Sequence, residues 1–177
     1  PELTLDEYKS FFEGNIHEAI ATGKKKAIPD FDEKSRLRNR ELKIPEKLKD
    51  VIKSLSLNNI LVIVSSSANS MIKEILEREL VSSFFADIFG SDTHKNKVYK
   101  IKILLQKYNV LPENAVFITD TLGDILEAKE CGVESIAVTW GFHERETLKR
   151  GNPVAIVDDP NLLEETINSV LKLGYEN

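Results

Sequence analysis

The stretch that most constrains the fold is Ala115–Gly132, AVFITDTLGDILEAKECG. It begins with a short apolar run, Ala115-Val116-Phe117-Ile118, rich in β-branched and aromatic residues. That is the pattern of a buried strand. After Thr119-Asp120-Thr121-Leu122-Gly123-Asp124, the residues Ile125, Leu126 and Ala128 continue at helical spacing until Gly132 stops the helix. Asp120 and Asp124 therefore sit on a strand-to-helix turn. In an open parallel sheet such turns stand at the strand C-termini, where ligands bind.

The four-residue spacing has a chemical consequence. Asp120 leaves the strand end, Asp124 points back from the first helical turn, and both can approach one point above the sheet edge. Two hard oxygen ligands there suit Mg²⁺, which takes one or two carboxylates and completes its shell with water and substrate phosphate. The competing reading is structural: Asp120 or Thr121 caps the helix, and Asp124 complements its dipole.

The rest of the chain from residue 44 alternates in the same way. Pro45 starts a helix through Leu48, Val51, Ile52 and Leu55. Ile60-Leu61-Val62-Ile63-Val64 is apolar throughout, so it reads as a strand buried on both faces, and it ends in Ser65-Ser66-Ser67. A helix carrying Met71, Ile72, Ile75, Leu76 and Leu80 follows. Then come a short helix and strand through Phe84–Gly90, an amphipathic helix over 97–108 carrying Ile101, Ile103, Leu104 and Leu105, and the acidic-turn unit. Strands at 135–138 and 155–157, a helix over 144–149 and a closing helix over 160–173 complete the series. Strand and helix in regular alternation predict an α/β fold: a doubly wound, Rossmann-like parallel sheet with helices on both faces.

Residues 1–43 do not fit the alternation. An apolar stripe from Tyr8 to Ile20, interrupted near Gly14 and closed by Thr22-Gly23, predicts a helical start. Lys24–Lys26 and Lys34–Arg40 are basic and read as solvated helical faces. The expected organisation is a partial helical cap over 1–43 and an α/β core over 44–177.

Composition narrows the function. The 177 residues carry a net charge of −5, which sets the chain against bulk nucleic-acid binding and against an anionic membrane surface. No apolar run approaches a membrane span. The single cysteine, Cys131, excludes an internal disulfide, reads as a small core residue, and fits a reducing cytoplasm.

Parallel strands bring Ser65-Ser66, Asp120–Asp124 and Thr139–His143 to one edge, where His94-Lys95-Asn96-Lys97 can join them. A hydroxyl donor, an ammonium and two metal-binding carboxylates are what a transferred phosphoryl group needs. Each part has a plainer reading, Ser65–Ser67 as helix N-caps among them. The combination resembles the haloacid dehalogenase-like hydrolase superfamily, most closely its phosphoglycolate-phosphatase-type members, over residues 44–172. Val64-Ser65-Ser66 resembles the second family motif, which implies that Ser65, with Ser66 beside it, binds the phosphoryl group. Thr119–Asp124 resembles the fourth, with Thr119 where the family usually has Gly, and implies Asp120 and Asp124 as Mg²⁺ ligands. The third motif is a lysine at a helix start; Lys97 is the preferred match and Lys95 the second. The Trp140-Gly141-Phe142 loop also looks like the family's.

The first family motif is an Asp-x-Asp ending an apolar strand before the cap, and it supplies the nucleophile. Asp30-Phe31-Asp32 has those letters but follows Lys-rich, Pro-containing sequence. The expectation is thus of a chain that begins inside the cap, as a fragment or a natural truncation, and lacks the central first strand. Such a core exposes unpaired strand edges and is expected to be unstable or to self-associate there. The implied function is a Mg²⁺-dependent phosphatase of a small phosphorylated metabolite, impaired in this chain by the missing nucleophile. The alternative is a non-catalytic remnant that binds phosphate or a protein.

Overall fold

The computed structural model describes residues 5–14, 20–23 and 42–175. Asp30-Phe31-Asp32 and the two basic stretches lie outside these residues. The chain divides into two compact units, Pro1–Lys25 with Asn96–Asn177, and Lys26–Lys95.

In the first unit, β3 (Val116–Thr119), β4 (Glu134–Val138) and β5 (Ala155–Val157) form a parallel sheet in the order β3-β4-β5. Register pairs Thr119 with Ala137 and Val138 with Val157, so the strand ends that carry loops lie level. The alternating helices are α4 (Lys97–Tyr108), α5 (Leu122–Glu130), α6 (Arg145–Lys149) and α7 (Leu163–Tyr175). Ile125, Ala137 and Leu148 are almost wholly buried against one another, with Ile156 packed on them. β4 is the central strand, and its apolar Ile136, Ala137 and Val138 are buried in consequence. At the N-terminus α1 (Leu5–Ser10) runs into a 3₁₀ turn, Phe11–Glu13, and stops at Gly14, whose backbone is extended. The break near Gly14 is where the interrupted stripe puts it.

The amphipathic pattern of α4 turns out differently from its reading. Its buried residues are Lys97, Val98, Lys100, Ile101 and Leu104, while Ile103 and Leu105 are only half-buried. Lys97 takes the inward face because it meets a carboxylate there, as shown below, and Lys100 is buried as well. Cys131 is buried as expected; its thiol lies 3.6 Å from the Val98 carbonyl, and burial pushes its pKa up.

In the second unit, α2 (Glu46–Leu55) precedes β1 (Leu61–Val64), α3 (Asn69–Arg78) and β2 (Phe85–Phe89). β1 and β2 pair in parallel, with an irregularity between Leu61 and Val62. Ile72, Leu76 and Val81 form the core, with Ile44, Ile63, Phe84, Phe85 and Ile88 around them. The expectation of a β1 buried on both faces needs correction. All four of its residues are half-buried and Ile60 is exposed, because β1 has one strand neighbour among the described residues. The parallel α/β class is as read, with the strands hydrogen-bonded as two sheets. Glu79 ties the start of the unit to α3: it accepts from the Ile44 N–H at 3.2 Å and pairs with Lys49 at 3.1 Å. The Lys49 hydrogen bond holds the Glu79 carboxyl below its ordinary range, and Glu46 and Glu79 raise Lys49.

Helix ends repeat one device. A residue with left-handed backbone follows α3, α4, α5 and α6: Leu80, Asn109, Gly132 and Asn152. Gly132 stops its helix as the sequence implies, and Val133 N–H returns to the Ala128 carbonyl at 3.1 Å. Glycine and asparagine tolerate this conformation, whereas a leucine carries a steric cost. Leu80 has φ 60° and is 85% exposed, so its side chain gains nothing in return. Leu80→Gly should therefore raise stability by about 0.5–1 kcal/mol. Guanidinium unfolding checks this, and an unchanged or lower midpoint would contradict it.

Candidate functional site

The end of β3 and the first turn of α5 hold the acidic pair on a fully specified scaffold. Thr121 caps α5, and its hydroxyl accepts from the Asp124 N–H at 3.3 Å. So the plain capping reading holds for Thr121, and Asp124 stands in the first turn, where the helix dipole favours it. The same turn gives the Asp124 carboxylate two partners. Oδ1 forms an ion pair with the Lys97 ammonium, and Oδ2 accepts from the Thr119 hydroxyl at 3.0 Å. Lys97 is the first residue of α4, whose N-cap Asn96 accepts from the Tyr99 N–H at 2.8 Å. Both members of the pair are largely shielded, with side chains 11% and 17% exposed.

Asp120 is held from the other side. The loop after β4 brings the Phe142 N–H to Asp120 Oδ2 at 2.8 Å and the His143 N–H to the Asp120 carbonyl at 3.0 Å. Gly141 makes this possible: a Cβ there would overlap the Asp120 side chain, including its Cβ. The base of the loop is anchored by Thr139, whose hydroxyl donates to Asp158 at 2.9 Å; that bond and Arg145 hold Asp158 below its ordinary range. His143 is buried, with Nδ1 accepting from the Leu122 N–H at 2.9 Å and Nε2 lying 3.0 Å from the Lys9 carbonyl. Those partners select the neutral tautomer protonated at Nε2.

The N-terminal segment covers this turn. Phe12 packs edge-on against Phe142 with ring centroids 4.6 Å apart, and Lys9 and Glu13 pair with Glu144 and Arg150. The Phe12 and Gly14 carbonyls come so close to Gly123 that a Cβ there would lie 2.8 Å from each.

Ser65 and Ser66 end β1 in the other unit. Ser65 Oγ accepts from the Ser67 N–H at 3.1 Å. Reading these serines as helix caps is corrected by the structure: the cap position of α3 is Ala68, and the Asn69 N–H is satisfied by Asp92 at 2.7 Å. Gly90 closes against this loop, with its N–H donating to Asn69 Oδ1 at 2.6 Å. Lys95 is exposed in the same unit, whereas Lys97 is buried on Asp124. The sequence reading missed the roles of Thr119, His143, Gly141 and Phe12. Gly141 left a trace as part of a loop with a family look, His143 as the end of the loop expected at the sheet edge, and Thr119 as the residue standing where the family usually has Gly; Phe12 appeared only in an apolar helical stripe.

The family model of haloacid dehalogenase-like hydrolase matches residues 1–138. The chain is a member of the haloacid dehalogenase-like hydrolases. A phosphoglycolate phosphatase from Vibrio cholerae is 30% identical over 61% of this chain and 49% of its own length. A probable phosphatase from Dickeya dadantii is 28% identical over 64% of this chain and 51% of its own. The chain thus spans about half the length of the curated relatives it matches. Among solved structures, a haloacid dehalogenase-like hydrolase from Streptococcus pneumoniae is 25% identical, covering 96% of this chain and 82% of its own, with a TM-score of 0.71. A predicted phosphatase from Clostridium acetobutylicum, 22% identical over 95% of this chain and 83% of its own, shares the fold with a TM-score of 0.73. No helix of the chain among the described residues is long and apolar enough to cross a membrane.

Proposed function

We propose that this chain carries the cation- and phosphate-binding part of a phosphatase that acts on a small phosphate monoester in the cytoplasm. The observation that carries the reading is Asp124, fixed between Lys97 and Thr119 on the same turn as Asp120. The donor set is two half-buried carboxylates on one turn, all-oxygen and hard, which fits Mg²⁺ and leaves its other positions to water and a phosphate oxygen. Bound there, Mg²⁺ would neutralise charge on the transferred phosphoryl group. Asp120 and Asp124 would hold it, and Lys97 adds a fixed positive charge at the same carboxylate; the family resemblance is what assigns contact with the phosphoryl oxygens to Ser65 and Ser66. The relatives named phosphoglycolate phosphatase point to a small anionic substrate of that class.

The attacking carboxylate is the weak point. Asp30-Phe31-Asp32 is the one Asp-x-Asp in the sequence, and the residues just before it, Lys24–Pro29, are Lys-rich and Pro-containing rather than an apolar run. We therefore expect Mg²⁺ to bind the wild-type chain and Asp120→Asn to weaken that binding by about 100-fold or more, beyond the range of an outer-sphere change. Hydrolysis of an aryl phosphate by this chain should stay near background. Turnover in the wild type that vanishes in Asp120→Asn would keep the phosphatase reading and assign the nucleophile to Asp30 or Asp32. Equal Mg²⁺ binding in both proteins would remove the reading and favour a non-catalytic remnant.

A further inference from the structure

Thr119 stands at the last position of β3 and is buried, 5% exposed. A buried hydroxyl needs partners, and this one has two of opposite kind. It accepts from the Thr121 N–H at 3.2 Å and lies 3.0 Å from Asp124 Oδ2. The amide can only donate and the carboxylate can only accept, so the hydroxyl hydrogen points to Asp124. With Lys97 on Oδ1, both carboxylate oxygens are held. The torsion that rotates a carboxylate is otherwise soft and broad. Each oxygen keeps a further lone pair for another partner. A glycine at this position would offer no such group.

We propose that Thr119 is a positioning residue: its hydroxyl locks the rotation of the Asp124 carboxylate and so presets one ligand of the divalent-cation site. The inference rests on the cation-site reading above. It adds that affinity for the ion depends on a hydroxyl that never touches it. A merely structural Thr119 would serve only the Thr121 N–H and would leave ion affinity alone.

The test is Mn²⁺ binding to the full chain, followed by the loss of the free-ion paramagnetic resonance signal. The proteins are wild type, Thr119→Val, Thr119→Ala, Thr119→Ser and Asp124→Asn. Thr119→Val keeps the shape and removes the hydroxyl; Thr119→Ala removes it without placing a methyl group against the carboxylate. Both should bind Mn²⁺ about tenfold or more weakly, the loss typical of an outer-sphere partner. Thr119→Ser should restore wild-type affinity. Wild-type affinity in a folded Val or Ala variant, beside a loss in Asp124→Asn, overturns the role of Thr119 and leaves the cation site standing. Equal affinity in wild type and Asp124→Asn overturns the cation site, and this proposal with it.

Discussion

Gly141→Ala should lower stability by about 1–3 kcal/mol, the usual cost of overpacking, and should weaken Mn²⁺ binding along with it. The reason is steric. A Cβ at 141 would overlap the Asp120 carboxylate and also its Cβ, which no rotamer change can move away. Either the 139–143 loop or the Asp120 turn must shift. Two hydrogen bonds join them, Phe142 N–H to Oδ2 at 2.8 Å and His143 N–H to the Asp120 carbonyl at 3.0 Å. Losing either leaves a half-buried group short of a partner. Gly132→Ala is the control. Its φ of 73° makes alanine costly by conformation, yet the added atom would meet only Pro112 at 3.5 Å. That variant should lose stability while binding Mn²⁺ as the wild type does. Denaturant unfolding and Mn²⁺ titration on both proteins read the two effects apart. A Gly141→Ala protein with wild-type stability and affinity would show that the loop does not brace Asp120.

Much of the fold was legible because its signals are local. The run at 116–119, the helix from 122 and the stop at Gly132 are set by β-branched residues, a threonine cap and a glycine that takes a positive φ. The 97–108 helix has its predicted bounds, since Asn96 caps it and Asn109 ends it left-handed. What stayed hidden depends on residues far apart in sequence. The family resemblance singled out Lys97, but not its ion pair with Asp124, 27 positions away. His143 is held by Leu122 and by the Lys9 carbonyl, 134 positions away. Thr119 read as a departure from a family glycine, and its hydroxyl acquires meaning only from where the helix turns Asp124. Periodicity also mislaid the inward face of 97–108, where Lys97 and Lys100 are buried and an ion pair holds Lys97.

Lys97→Met should cost about 2 kcal/mol, somewhat under the ~3–5 kcal/mol for breaking a fully buried pair, since both side chains keep some contact with water. The placement of this lysine makes the pair its reason for being there. It occupies the first position of a helix, where the dipole disfavours a cation. Methionine keeps the apolar stem and removes only the charge. Asp124 then keeps the Thr119 hydroxyl and its place in the first turn of α5, but loses its counter-charge. Asp124→Asn alone should cost a similar amount, because it strands a shielded ammonium. The double variant should cost much less than the two together, leaving a coupling of about 1 kcal/mol or more in a double-mutant cycle. Additivity to within about 0.5 kcal/mol would mean that the two groups do not depend on each other. The cycle also separates structure from function. If the pair only braces the turn, the double variant recovers all that was lost. If Lys97 supplies positive charge to a phosphoryl group, Asp124→Asn, which keeps the ammonium, should bind inorganic phosphate without Mg²⁺ more tightly than the double variant, which lacks it.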